Sequence, residues 1–377
     1  MKFIAKKTQC VHSGRIDDER VHGINTPIYT STSYQYLDTD ERFYPRYFNT
    51  PNQWALANKV CALEGAEAGL IFSSGMAAIS TTCLSFLKTG DHVVFQPNLY
   101  GGTQHFATGK LNTYGIDYTI AASQRTSDIE AAILPNTRVI YIETPSNPLL
   151  AITDIAEVAE LCCSRQLISI IDNTFASPVN QNPIRLGIDI VLHSATKYLG
   201  GHSDICAGVA VSSKENINHI WELAINLGGS LNAITCYLLE RSIKTLALRV
   251  AQQNSNAQTL AEFLVEHPQV KCLHYPGLTS HPGHEIAKKQ MTGYGGMLSF
   301  ELKEKNSIEF QKKLKLIKPS MSLGGVESII CSPAITSHRH LSQEEQKKTG
   351  ITDELLRLSV GIEDINDLLA DLQQALI

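Results

Sequence analysis

Apolar positions along the chain change period several times, and each change marks an element. Between Gln53 and Gly65, Leu56, Val60 and Leu63 recur at i, i+4 and i+7, the spacing of one helical face. Short, fully apolar runs then alternate with helical stretches. HVVF (92–95), RVIYIE (138–143), LISIID (167–172), IDIVLHSA (188–195) and CAGVAVSS (206–213) read as strands, and DIAEVAELCCSRQ (154–166) reads as an amphipathic helix. Strands apolar on both faces and separated by helices predict an α/β domain with a mostly parallel sheet covered on both sides. From residue 246 the texture shifts. RVAQQNSNAQTLAEFLVEHPQV reads as a long helix, GGMLSFELK (295–303) as an exposed-type strand, and INDLLADLQQALI as a closing helix. The expected organisation is an extended arm (1–52) clasping a neighbouring subunit, a large domain (53–245) and a smaller α+β domain (246–377), with no linker or repeat between them.

Composition narrows the function. The chain of 377 residues is 43% hydrophobic and only 18% charged, with 32 Lys plus Arg against 37 Asp plus Glu, for a net charge of −5. A charged fraction below the roughly one quarter of an average soluble protein predicts that much surface is covered, most simply by other copies of the chain. No basic run with interleaved aromatics is present to attract a phosphate backbone, which argues against nucleic-acid binding. Nine cysteines, with no C-x-x-C spacing, predict buried reduced thiols rather than disulfides or structural zinc. The start, MKFIAKKTQCVHSGR, lacks an apolar signal core, and the uncharged stretch 68–87 holds four serines, two threonines and two glycines, so it reads as strand–turn–helix rather than a membrane span. These features predict a soluble cytoplasmic protein.

Candidate chemistry gathers at strand ends, where parallel sheets bind ligands. Ser73-Ser74-Gly75-Met76 falls at a strand-to-helix turn, whose amides and dipole suit a phosphate. RVIYIE runs into TPSNP, and ISIID ends on Asp172-Asn173-Thr174. IDIVLHSATK ends a buried strand with Ser194, Thr196 and Lys197. Each has an ordinary explanation alone: a helix start, an N-cap, a surface lysine. Together, on four strand ends expected to be adjacent, they offer an anion cradle, a carboxylate and an amine that burial would make nucleophilic. Pyridoxal phosphate (PLP) needs that set, having a phosphate, a pyridine nitrogen to be kept protonated and an aldehyde for lysine to capture.

The segments SATKYLGGHSD, ETPSNP, DNTFASP, LYGGT and SLGGVES, in this order and spacing, resemble the Cys/Met-metabolism (transsulfuration) family of PLP enzymes, across essentially the whole chain. The resemblance implies the aspartate-aminotransferase fold (PLP fold type I) and a homotetramer built as a dimer of dimers. It implies that Lys197 bonds covalently to the cofactor, Asp172 pairs with the pyridinium nitrogen and Tyr100 stacks on the ring. Gly75 and Met76, with Ser194 and Thr196, would hold the phosphate, and Tyr44 and Arg46 would reach it from the neighbouring subunit. Asn147 would lie near the phenolic oxygen, and Arg357, helped by Ser322, would fork onto the substrate α-carboxylate. Lys197 would take the α-proton, and Tyr100 is the expected acid toward the leaving sulfur.

Departures from the family pattern bear on the substrate. The arm motif usually reads Y-x-R-x-x-N-P-T, whereas YPRYFNTPN has Thr50 and Pro51 exchanged. Phe43, His105 and Met321 stand where cystathionine-handling members tend to carry an acid, an arginine and a glutamate. A less charged distal pocket points to a methionine or cystathionine γ-lyase-like reaction, with methionine favoured, giving a 2-oxo acid, ammonia and a thiol. Gly102, where methionine γ-lyases usually have Cys, leaves open a γ-replacement transferase (a cystathionine γ-synthase or O-acylhomoserine sulfhydrylase). A non-catalytic PLP-binding protein is a third reading, one that has no need of Arg357. His338-Arg339-His340 lacks carboxylate or cysteine support, so a polar loop is expected there and no metal.

Overall fold

The computed structural model describes residues 5–303, 306–339, 344, 346 and 349–377. Seven strands form the first sheet: β1 (Ala68–Phe72), β2 (His92–Phe95), β3 (Asp117–Ile120), β4 (Thr137–Glu143), β5 (Ile168–Asp172), β6 (Ile190–Ser194) and β7 (Gly208–Ser212). Their order is β1-β7-β6-β5-β4-β2-β3. Pairs from β3 through β6 are parallel, and β7 is antiparallel to both its neighbours. The mostly parallel sheet is therefore as expected. The four chemistry-bearing strand ends are not all adjacent, however. Those of β4, β5 and β6 are, while β7 separates β6 from β1. Because β7 reverses direction, β1 still ends on the same edge.

Side chains along these strands alternate between two cores, as period-2 geometry requires. Val139 and Tyr141 of β4 enter one cluster, and Ile140 and Ile142 enter the other. Both faces are covered, which is why the strands read as unbroken apolar runs.

The second sheet contains β8 (Val270–His274), β9 (Met297–Leu302), β10 (Lys318–Pro319), β11 (Ile329–Cys331) and β12 (Leu355–Ser359), in the order β10-β11-β12-β9-β8. Here one expectation is corrected: every residue of β9 is buried. Its alternating polar residues find partners inside. Ser299 Oγ donates to the Pro148 carbonyl at 2.7 Å, and Glu301 receives Lys271 Nζ at 2.8 Å and Thr352 Oγ1 at 2.7 Å.

The helix Leu246–Val265 joins the two sheets. Leu246, Ala247 and Val250 sit in a core of the first sheet, and Ala257, Leu260, Ala261 and Leu264 sit in that of the second. Between these sets Gln253 Nε2 donates to the Gly325 carbonyl at 2.7 Å, tying the helix to the loop before β11.

Within the first fifty residues most positions are irregular and exposed, but Lys6–His12 form a helix where only extended chain was expected. Lys6 Nζ donates to the Leu63 carbonyl and Lys59 Nζ to the Cys10 carbonyl, so this turn caps the helix Pro51–Glu64. Exposed Cys163 and Cys206 depart from the expectation of buried thiols, while Cys10, Cys61, Cys83, Cys162, Cys236 and Cys331 are buried. Among the described residues no helix is long and apolar enough to cross a membrane, and no cluster of three metal-ligating side chains occurs.

Candidate active site

The carboxyl edge of the first sheet and residues 321–323, 336–339 and 357 enclose a cavity of about 590 Å³. Gly75, Met76, Tyr100, His105, Asn147, Asp172, Ser194, Thr196, Lys197, Met321, Ser322 and Arg357, all singled out in the sequence, line it. Three others from the arm do not. Phe43 packs its ring against Tyr34 and Trp54, with centroids 5.4 and 5.3 Å away. Arg46 donates to the Ile225 carbonyl and lies over the rings of Tyr44 and Tyr47. Within one chain, Phe43, Tyr44 and Arg46 therefore stand apart from the cavity.

The phosphate-suited corner follows from local sequence. β1 stops at Phe72, and Ser74 caps the helix Gly75–Phe86 by accepting from the Ala77 N–H at 3.1 Å. Gly75 and Met76 open that helix, and the first amides of a helix have no intrahelical partner. A Cβ on residue 75 would stand 2.8 Å from Ser194 Cβ, so glycine is what lets the helix start lie directly on the end of β6. Ser194 in turn is fixed by its N–H, which donates to Thr174 Oγ1 at 2.8 Å, and Thr196 Oγ1 accepts from the Ala207 N–H at 3.1 Å.

Lys197 follows β6 by one tight turn, and its Nζ donates to Ser322 Oγ at 2.7 Å. Burial, with the Arg357 guanidinium adding to it, lowers the Lys197 ammonium to about 8. Ser322 holds a φ of 85°, in the left-handed region that non-glycine residues enter rarely. Asp172 accepts from the Thr174 N–H at 2.9 Å, and burial raises its carboxyl.

Arg357 comes from β12, more than 150 residues beyond the lysine. It is 4% exposed; Nη1 donates to Asn147 Oδ1 at 2.8 Å and Nη2 to the Ser322 carbonyl at 2.9 Å. Its Nε is buried without a hydrogen-bond partner among the described residues. Tyr100 precedes the helix Gly101–Gly109, and burial raises its phenol, keeping it protonated. A Cβ on residue 102 would meet the Tyr100 ring at 2.5 Å, which accounts for Gly102 beside this tyrosine.

Among the lining residues to which the sequence pattern gives no role are three that carry chemistry of their own, Glu143, Cys206 and Arg339. Glu143 ends β4 inside ETPSNP, so its strand-end position was a usable signal. Arg339 falls in His338-Arg339-His340, where the sequence predicts only a polar loop. Its neighbour His338 is buried beside Arg357, and His340 lies outside the described residues.

An anion cradle on a helix start, a carboxylate at the next strand end and an amine made nucleophilic by burial fit PLP, and the buried, unpartnered Arg357 Nε fits a substrate carboxylate. Fold and site together define a PLP-dependent enzyme. The chain belongs to the Cys/Met metabolism PLP-dependent enzyme family, whose model matches residues 7–377. It is 44% identical to a cystathionine γ-lyase of Bacillus subtilis over 98% of this chain and 99% of that one. It is 43% identical to a cystathionine β-lyase of Lactococcus lactis over 98% of each chain, and 40% identical to an L-methionine γ-lyase of Fusobacterium nucleatum over 100% and 99%. Among solved structures, cystathionine γ-lyase from Lactobacillus plantarum complexed with L-serine superposes with a TM-score of 0.95 at 40% identity, covering 99% of this chain and 98% of that one. The metB structure from Corynebacterium glutamicum gives 0.94 at 40% identity with the same coverage. The protein is thus a PLP-dependent carbon–sulfur lyase of the transsulfuration family.

Proposed function

We propose that this enzyme cleaves the Cγ–S bond of a sulfur amino acid, giving a thiol, a 2-oxo acid and ammonia. The observation that carries this reading is the convergence of Lys197, Asp172 and Arg357 in one cavity, on the two sheets that enclose it. When bound, PLP supplies an aldehyde that condenses with the substrate amine and a ring that takes up the electron pair left at Cα. Gly75, Met76, Ser194 and Thr196 would hold its phosphate, and Asp172 would keep its ring nitrogen protonated. Arg357 orients the substrate by its α-carboxylate, with Asn147 and Ser322 fixing the guanidinium. Lys197 Nζ, neutral in an appreciable fraction at neutral pH, takes the proton from Cα, gives it up again and, once more neutral, takes one from Cβ. The Tyr100 hydroxyl, kept protonated, delivers a proton to the departing sulfur at Cγ. Addition of water then releases ammonia and the 2-oxo acid. Tyr44 and Arg46 complete the phosphate site of a second chain, in a cytoplasmic tetramer of two closed dimers.

A second reading concerns the substrate. Of the lining residues Arg339 and His105 are exposed, which puts them at the mouth of the cavity, whereas its acids, Glu143 and Asp172, are buried and half-buried. A guanidinium at the mouth favours a substrate with a second carboxylate, as in L-cystathionine, whereas Phe43, His105 and Met321 alone favour L-methionine. Purified enzyme assayed on L-methionine, L-cystathionine, L-cysteine and O-acyl-L-homoserines, scored for 2-oxo acid and for thioether, tests both. Thioether formation without 2-oxo acid refutes the lyase. Arg339→Ala should lower kcat/KM for L-cystathionine about tenfold relative to L-methionine; an unchanged ratio refutes the role of Arg339.

A further inference from the structure

The parallel pairing of β4 with β5 sets Glu143 opposite Asp172, so two carboxyls end neighbouring strands on the same face. Backbones of adjacent strands lie about 4.8 Å apart, and carboxylates on neighbouring positions of one face resist carrying charge together. Asp172 is served by the Thr174 N–H and by the fields of His193 and Lys197. Glu143 is served differently. It is 5% exposed, its Oε2 accepts from the Tyr100 N–H at 2.7 Å, and its Oε1 is buried without a hydrogen-bond partner among the described residues. The buried hydroxyls of Thr103 and Tyr141 act on it as donors that favour its charged form, although neither completes a hydrogen bond there. Burial, and after it the like charge of Asp172, push the Glu143 carboxyl well above the ordinary range, against the donors that favour its charged form.

Tyr100 precedes a helix that no side chain caps; its carbonyl accepts from the Gln104 N–H at 2.9 Å, and its N–H is held by this carboxyl oxygen. We propose that Glu143 is a positioning residue which works as a neutral carboxylic acid, pinning Tyr100 over the cavity floor and leaving Asp172 as the one negative charge there. The geometry asks for neutrality: a second anion beside Asp172 would compete for the cofactor's protonated ring nitrogen without a cation of its own. This rests on the assignment of Asp172 to that nitrogen.

The test compares wild-type holoenzyme with Glu143→Gln and Glu143→Ala. The glutamine keeps the oxygen that receives the Tyr100 N–H and carries no charge. In Glu143→Gln the pH midpoint of the cofactor's visible absorbance should stay in place, with kcat/KM for the best substrate within a few-fold. In Glu143→Ala, kcat/KM should fall about 100-fold, the scale of a misplaced catalytic group, and glutamine should therefore act as a rescue. A midpoint lowered by about one unit or more in Glu143→Gln would show that an anion had been removed, and would overturn the proposal. Infrared difference spectra offer a measurement that depends on neither variant's turnover. Wild-type holoenzyme should show a protonated-carboxyl band that Glu143→Gln lacks, and absence of any such band in the wild type overturns the neutral acid even where the variants fold poorly. Borohydride fixation of cofactor on Lys197, mapped in the wild type, reports separately on the cofactor assignment.

Discussion

Gly75→Ala puts the cofactor cradle under direct mechanical test. The new Cβ would stand 2.8 Å from Ser194 Cβ, 2.9 Å from Ser194 Oγ and 3.1 Å from Ser194 Cα. Ordinary contact begins near 3.4 Å, so the start of the helix and the end of β6 must separate by about 0.6 Å. Ser194 cannot yield cheaply: its N–H is held by Thr174 Oγ1 and its carbonyl accepts from the Lys197 N–H at 3.1 Å. Overpacking of this kind costs about 1–3 kcal/mol. If the backbone holds, that cost is taken from folding, and the apoenzyme should melt about 1–4 °C lower. If the helix start lifts instead, the amides of Gly75 and Met76 leave the phosphate, and the same energy weakens cofactor binding by about 5- to 150-fold. Differential scanning fluorimetry of the apoenzyme, paired with cofactor retention after dialysis read by visible absorbance, measures both routes. An apoenzyme of unchanged Tm that also binds cofactor with unchanged affinity would show that the helix start and Ser194 do not form one rigid corner.

Two other perturbations test separate steps. Arg46→Ala and Lys197→Ala homo-oligomers should each be nearly inactive, yet after co-refolding about a quarter of wild-type activity should return, because half the dimers are mixed and hold one intact site; no gain despite verified subunit exchange would place Arg46 in its own chain's site. Covalent capture of cofactor by apoenzyme should rise with pH around a midpoint near the value of about 8 set by burial of Lys197, because only the neutral amine attacks. At pH 7 an ammonium at that value is neutral in about one molecule in ten, against about one in three thousand for an ordinary lysine. A midpoint near 10 in stopped-flow absorbance would refute the burial argument.

The sequence made the floor of the site legible, and the reason is local. Lys197, Asp172 and Gly75 each lie within three residues of a strand end, and apolar runs such as IDIVLHSA locate strand ends well. Ser299 and Glu301 of β9 illustrate where pattern fails: alternation of polar and apolar residues signals a half-exposed strand, yet here the polar face is covered and supplied with partners from Pro148, Lys271 and Thr352. No periodicity carries that information, since the partners come from three other segments. The position of β7 between β6 and β1 was equally hidden, because CAGVAVSS reads the same whether a strand runs parallel or antiparallel.

Substrate choice sits at the opposite limit. Arg357 was reached only through the family resemblance; its side chain arrives because the helix Leu246–Val265 carries the chain from one core into the next. Arg339 lies between a buried histidine and residues outside the described set, so neither pattern nor composition marks it as a lining residue. The three positions that suggested a weakly charged pocket are a biased sample for the same reason. They were read because their neighbours form recognisable motifs, whereas a guanidinium delivered by an irregular turn goes unread. Of those three, Phe43 lies outside the cavity of its own chain, and the flexible side chain of Met321 is 65% exposed. Discrimination between L-methionine and L-cystathionine is a difference of about 1–3 kcal/mol in such a pocket. A single charged contact at the mouth is worth as much as that difference. We therefore propose that the balance turns on Arg339 more than on the absence of charge at residues 43, 105 and 321, and the ratio of the two specificity constants before and after Arg339→Ala decides it.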